Sequence, residues 1–249
     1  MSVEAILEAH SASREALATR ILTVLEREWS GLGSWDTRDV GRFLARVLPV
    51  VTAGQQVTAR MVDGYVAAML TEMTGERVNI VGLQGSDLSR GVPYEEVYRR
   101  PFVETWLALK KGAEFAEAVE HGLNRTLEIT DDDLNLSYRR ASSTVMQAHP
   151  MVERYRRVIR PEASKGGTCD LCGKASQNTY KDSDLLPIHT RCRCAVMPIV
   201  GAEDPAARMN AEDFSGDVTD LPVIRNHGEL GPLLQVKGHA FTSEPAQAA

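Results

Sequence analysis

Four cysteines and a histidine fall within 26 residues of this chain as Cys169-x-x-Cys172 followed by His189-x-x-Cys192-x-Cys194. A two-residue-spaced thiol pair on a tight turn, joined by a second His/Cys pair, is the spacing that lets soft donors converge on one tetrahedral ion. The chemistry this predicts is zinc binding. Gly166-Gly167 and Gly173 supply the turns around the first pair. A closed zinc site takes four ligands, so one of the five candidates is left over. The preferred set is three cysteines with His189, with Cys192 or Cys194 outside it; the rival is four cysteines with His189 behind them. Disulfides are the competing use of the thiols. The first residues lack a basic stretch followed by an apolar core, which gives no pointer to an oxidising compartment, and a Cys-x-Cys bridge would be strained.

Catalytic signatures are otherwise sparse, and no catalytic residue is assigned. The chain has no H-E-x-x-H, P-loop, G-x-S-x-G or dinucleotide fingerprint. His227-Gly228-Glu229 matches half of the zinc-deaminase signature, but it follows the Cys-x-x-Cys element instead of preceding it. His10, His121 and His149 read as solvated or capping residues of helices. A thiolate held in a closed zinc site is unavailable as a nucleophile.

Charge is distributed unevenly around the cysteines. The formal net charge is −6, yet residues 138 to 200 carry 11 Lys/Arg against 5 Asp/Glu, between acidic flanks. Arg154, Arg156, Arg157 and Arg160 form the densest part of this basic island. They suit a DNA- or acidic-partner-binding surface, or else they pair with acidic groups of the same chain. The apolar runs are too short and too interrupted by charge for a membrane span.

The elements that must position these groups read as mainly α, a helical body with a small zinc-stabilised α+β module towards the C-terminus. The predicted domains are residues 1–150 (helical), 151–200 (zinc-binding, basic) and 201–249 (an acidic extension). The first helix runs from about Val3 to Glu28, with Ile6, Ile21, Leu22 and Leu25 on one stripe. The second starts at an Asp36/Thr37 cap and ends or kinks at Pro49. A third covers about Gly54 to Met73, with Val57, Met61, Tyr65 and Met69 inward and Gly75 as its cap. Residues 75 to 93 read as a hinge loop. Helices then cover Tyr94–Lys111 and Ala113–Leu127, and Thr130-Asp131-Asp132-Asp133 reads as the N-cap of another that stops at His149-Pro150. Short β-type runs, Arg157–Ile159 and Ala195–Met197, bracket the cysteines.

Several segments resemble the minor head proteins of tailed phages, the group related to the F protein of phage Mu, in its actinobacterial-phage form. They are Tyr155–Glu162 (YRRVIRPE), Gly167–Cys172 (GTCDLC), Leu186–Cys194 (LPIHTRCRC) and His227–Leu234 (HGELGPLL), with Tyr98–Phe102 (YRRPF), Trp106 and Gly112 in the helical part. The resemblance covers about residues 94 to 240. It implies a structural adaptor of head morphogenesis at the portal vertex or inside the procapsid, made in the host cytoplasm and carried in the virion. Its implied partners are portal, capsid or scaffold proteins and packaged DNA, without a membrane. Similar proteins are often labelled capsid maturation proteases; that is the alternative function, and no protease residue of this chain carries it.

Overall fold

A computed structural model describes residues 1–83, 90–163, 170–189, 191–213 and 222–236. Four long helices dominate: α1 (Val3–Ser30), α2 (Thr37–Thr74), α3 (Tyr94–Lys110) and α4 (Phe115–Ala148). They are followed by β1 (Val152–Val158), α5 (Asp170–Ser176), β2 (Thr179–Lys181), β3 (Ala195–Val200), α6 (Pro205–Asp213) and a hairpin of β4 (Pro222–His227) and β5 (Gly231–Val236). The chain is mainly α with a small sheet region towards the C-terminus. No helix among the described residues is long and apolar enough to cross a membrane.

Two predicted helix breaks are overridden. The Asp36 cap forms, its carboxylate accepting from the amides of Arg38 and Asp39, and Gly75 closes α2 with φ 72°. Between them α2 is one helix of 38 residues that runs through Pro49. The pyrrolidine ring removes one helical hydrogen bond, but Val47 and Val51 on either side are fully buried, and that burial keeps the helix going. The inward stripe of the second half is Ala59, Val62, Tyr65, Val66, Met69 and Leu70; Val57 and Met61 are only half-buried. Likewise α4 runs unbroken from Phe115 to Ala148, so Thr130 to Asp133 are buried in mid-helix and cap nothing.

Buried carboxylates fasten the loops of the helical body. Asp39, with no exposed surface, accepts from the amides of Gly33, Ser34 and Trp35 and so fixes the α1–α2 turn. Asp63 accepts from the amides of Val81, Gly82 and Leu83 and straps this segment to α2. The expected hinge is therefore tied down up to residue 83; residues 84–89 lie outside the described residues.

The helices cross closely where glycine permits it. A side chain at Gly122 of α4 would collide with Thr105 of α3 and the indole of Trp29. Trp29 is itself wedged among Trp35, Phe43 and Phe102, and it donates from Nε1 to the Val119 carbonyl at 3.1 Å.

A second core joins helices to sheet. It runs without interruption from Leu7, Val62, Tyr65, Val66 and Leu136 to Val152, Val158, Val196 and Met197. The three-stranded antiparallel sheet has the order β2-β1-β3, with Tyr155 opposite Pro198 in β3. Because β3 is an edge strand, Pro198 costs no interior ladder bond. The backbone of Val196 is gripped from both sides: its carbonyl accepts from Tyr65 Oη at 2.7 Å, and its amide donates to Tyr138 Oη at 2.9 Å. His10, expected on a solvated face, is instead buried and stacked on Tyr65 at 4.1 Å between ring centroids. Burial first, and then the charge of Arg14, push its pKa down to about 3, which keeps the imidazole neutral.

Candidate metal centre

The described cysteines are delivered by two segments. Cys172 lies in the short helix α5 behind β1; Cys192 and Cys194 lie on the segment entering β3. Between His189 and Cys192 the chain turns tightly: Arg191 adopts φ 61°, and the Cys192 amide donates to the His189 carbonyl at 3.2 Å. The residue before the histidine is clamped by the hairpin, because Leu234 N donates to the Ile188 carbonyl at 2.6 Å and Ile188 pairs with Leu233. The β3 end is held by the two tyrosines that grip Val196. Arg14 adds a bond from Nη1 to the Cys194 carbonyl at 2.9 Å while its guanidinium lies 3.9 Å over the Tyr138 ring.

The sulfurs of Cys172, Cys192 and Cys194 all lie within 4.8 Å of one another, and this group could hold a metal ion. The Cys172–Cys192 sulfur separation is 3.8 Å. A disulfide would need about 2.05 Å. Four ligands placed about 2.3 Å from a tetrahedral ion put their sulfurs about 3.8 Å apart, so this edge already has the dimension of a zinc–thiolate tetrahedron. His189 Nε2 lies 3.1 Å from the Cys172 sulfur, beside the cluster, but the donors that all lie within 4.8 Å of one another are the three sulfurs. Three converging sulfurs suit a soft metal ion. Both Cys192 and Cys194 reach the cluster, whereas the preferred sequence reading left one of them out. Cys169 lies outside the described residues.

The charges within the cluster are unevenly shared. Hydrogen bonds from Cys172 and Cys194 favour the Cys192 thiolate; they overcome its burial, and with Arg157 and His189 nearby they hold its pKa well below the usual thiol range. The hydrogen bond with Cys172 pulls Cys194 the same way, but its bond to Cys192, burial and the Cys192 charge win and push it up to about 12. One thiolate is thus tolerated and its neighbour keeps its proton. Ionising all three sulfurs at 2–6% exposure would take a cation among them.

Arg157 supplies a fixed positive charge beside the sulfurs. Its side chain has no exposed surface, and Nη1 lies 3.4 Å from both the Cys172 and Cys192 sulfurs, while Nη2 donates to the Pro187 carbonyl. Burial alone would favour the neutral form, yet the charges of Cys194, Cys172 and Cys192 raise its pKa well above the ordinary arginine value.

The four arginines therefore do not form one surface. Arg157 was expected among the partner-binding residues; strand alternation turns it inward, onto the cysteines. Arg156 is half-buried, pairs with Asp204 at 2.8 Å and caps the carbonyls of Ser176 and Gln177. Arg160 pairs with Glu162. Arg154 is the exposed member, and it faces Lys181 across the β1–β2 ladder.

Other residues hold the module to the helices, and sequence reasoning missed them. Arg139, almost wholly buried in α4, donates to the carbonyls of Leu186, Leu230 and Pro232, so one guanidinium ties α4 to the His189 segment and to the hairpin. Burial pulls its pKa down to about 10, which leaves it charged at neutral pH. Glu229 pairs with Arg100 of α3 at 2.6 Å and with Arg90 at 3.4 Å. The ring of His227 accepts from the amides of Glu229 and Leu230. The half-signature H-x-E is therefore a turn and an ion-pair anchor.

The aspartate run in α4 is spent on similar pairs. Asp131 accepts from Arg193 at 2.7 Å, next to Cys192 and Cys194. Asp133 accepts from Arg90 and, at 2.9 Å, from Tyr98 Oη. Ile129 and Leu134, buried on either side of the run, carry the helix through it. Comparisons of the chain with protein-family models, characterised proteins and solved structures find no match.

Proposed function

We propose that the chain is a zinc-clamped structural protein that serves as a minor head protein of a tailed phage, an adaptor at the portal vertex or the inner face of the procapsid. The observation that carries the structural half is the closure of the cysteine cluster. Its three sulfurs are 2–6% exposed, and the Arg157 guanidinium fills the side facing β1. Burial of this depth among the described residues fits a structural rather than a catalytic zinc site. Zinc is favoured over harder ions because the donors are sulfur and imidazole.

The assembly half rests on the sequence resemblance and on how its segments meet. Tyr155–Glu162 supplies Arg157 to the sulfurs, and Leu186–Cys194 supplies Cys192 and Cys194, with His189 beside Cys172. His227–Leu234 is bound to that second segment through Arg139 and to Arg100 of Tyr98–Phe102 through Glu229. These segments therefore form one unit around the metal centre. The partner-facing edge is assigned to Arg154 and Lys181, both exposed and directly opposed on neighbouring strands. Like charges in that register repel, and an acidic portal surface or a DNA phosphate would relieve the repulsion.

One contact favours the protease reading: Cys172 and His189 lie 3.1 Å apart, within reach for a nucleophile and its base. Against it, the sulfur is buried at 3% exposure among two more thiols. Incubating purified chain with portal, capsid and scaffold proteins separates the two readings. The adaptor co-purifies with portal, leaves every N-terminus intact, and loses portal binding at low salt when Arg154 and Lys181 are reversed to Glu. Trimmed capsid or scaffold N-termini, lost on Cys172→Ala, would establish the protease.

A further inference from the structure

We propose that α3 is a self-association surface through which two copies of this chain pack antiparallel about a two-fold axis. This inference stands apart from the phage-head reading, since it uses only the outer face of α3. Val103, Trp106 and Leu107 are 44%, 40% and 47% exposed, and Phe115, at the start of α4, is 55% exposed. The three α3 residues follow the i, i+3, i+4 spacing, so they form one apolar stripe on the side away from α2 and α4. Behind it the stripe is continuous with the aromatic core, through Phe102 to Trp106 and Trp35 to Phe115.

The charges flanking this stripe select the partner. At about 100° per residue, Glu96, Arg99, Val103, Trp106, Leu107 and Lys110 occupy one arc of about 100°. Glu96 and Lys110 lie seven residues before and after Val103, and both are exposed. Neither they nor Arg99 forms an ion pair within the chain among the described residues. The face therefore reads acidic, basic, apolar, basic along its length. A copy of the same helix run antiparallel, with Val103 facing Val103, places each Glu96 against the other copy's Lys110. It also brings each Arg99 to the other copy's Trp106 and Leu107, where a guanidinium can lie on the indole. A two-fold contact must be self-complementary, and this sequence of charges is. A single helix pair buries less than a permanent dimer interface, so the association is expected to be reversible, with a Kd of about 10–100 µM.

The test is sedimentation equilibrium of the full chain over a concentration series, with charge variants of two exposed positions that leave the fold intact by circular dichroism. Wild type is expected to dimerise. Glu96→Lys and Lys110→Glu each create two like-charge contacts and are expected to weaken the dimer about tenfold or more, while Trp106→Ala weakens it about 30-fold. Mixing the two charge variants restores pairing, because every contact in the mixed dimer is again opposite in sign, and the double variant dimerises like wild type. A wild-type chain that stays monomeric at ten times the upper Kd overturns the proposal, as do single charge variants that dimerise unchanged or a mixture that fails to recover.

Discussion

Arg157 donates from Nη1 to the sulfur of Cys172 at 3.4 Å, from a side chain with no surface in contact with solvent. A buried guanidinium is costly unless a matching negative charge is fixed beside it. Here the match is the cysteine cluster, which would carry net negative charge with three thiolates around a divalent ion. The buried arginine thus fits the proposed metal site.

Arg157→Met keeps most of the volume but removes the charge and leaves the Pro187 carbonyl without this donor. We expect a loss of about 3–5 kcal/mol in stability and a 10- to 100-fold weaker hold on metal. Thermal unfolding and competition with a chromogenic chelator measure the two effects. An unchanged variant would make Arg157 a bystander.

Asp132 gives the fold a pH dependence with a defined sign. Burial, aided by Asp131 and Asp133 and opposed by Arg90, raises its pKa from 3.8 to about 7. The unfolded chain releases this proton near pH 4, whereas the folded chain keeps it to about pH 7. Across that window the unfolded state binds fewer protons, so the contribution of Asp132 to stability falls as pH rises. Asp132→Asn is expected to exceed wild type by about 2–4 kcal/mol at pH 8 and to match it near pH 4. His10 acts in the opposite sense, losing stability as pH falls from 6.5 towards 3, and it cancels in the comparison because both proteins carry it. Denaturant titrations at several pH values decide the matter.

Gly122→Ala tests the close approach of α3, α4 and α1. The new methyl meets Thr105 and the Trp29 ring, and Trp29 is held on several sides by other aromatics. A loss of about 1–3 kcal/mol is expected, read as a lower denaturant midpoint with an unchanged slope.

Pro49→Ala tests the continuity of α2. Pro49 is exposed, so the substitution removes no packing and restores a helical donor. It is expected to stabilise the chain by about 1–3 kcal/mol. Destabilisation would mean that the helix needs its proline.

What could be read from the sequence divides along physical lines. Local chemistry was legible: the Asp36 and Gly75 caps form where side-chain type and spacing place them, and three of the clustered cysteines meet. Breaks in long helices were not. Pro49 and the Thr130–Asp133 run look like stops over a window of a few residues, but Val47, Val51, Ile129 and Leu134 bury the flanks, and tertiary packing outweighs the local preference. The inward turn of Arg157 was hidden because a basic run looks alike whichever face of a strand its members occupy. The roles of Tyr65, Tyr138 and Arg139 depend on which backbone carbonyls and amides come within reach across 47 to 131 residues of chain, and no local window contains that information.

The most direct test of the central claim is elemental analysis of the full chain purified without added chelator, combined with a count of reactive thiols. One zinc per chain, with Cys172, Cys192 and Cys194 protected from alkylation until a chelator removes the ion, is the expected result. A metal-free, stably folded protein whose three thiols are freely alkylated or paired as disulfides would contradict it.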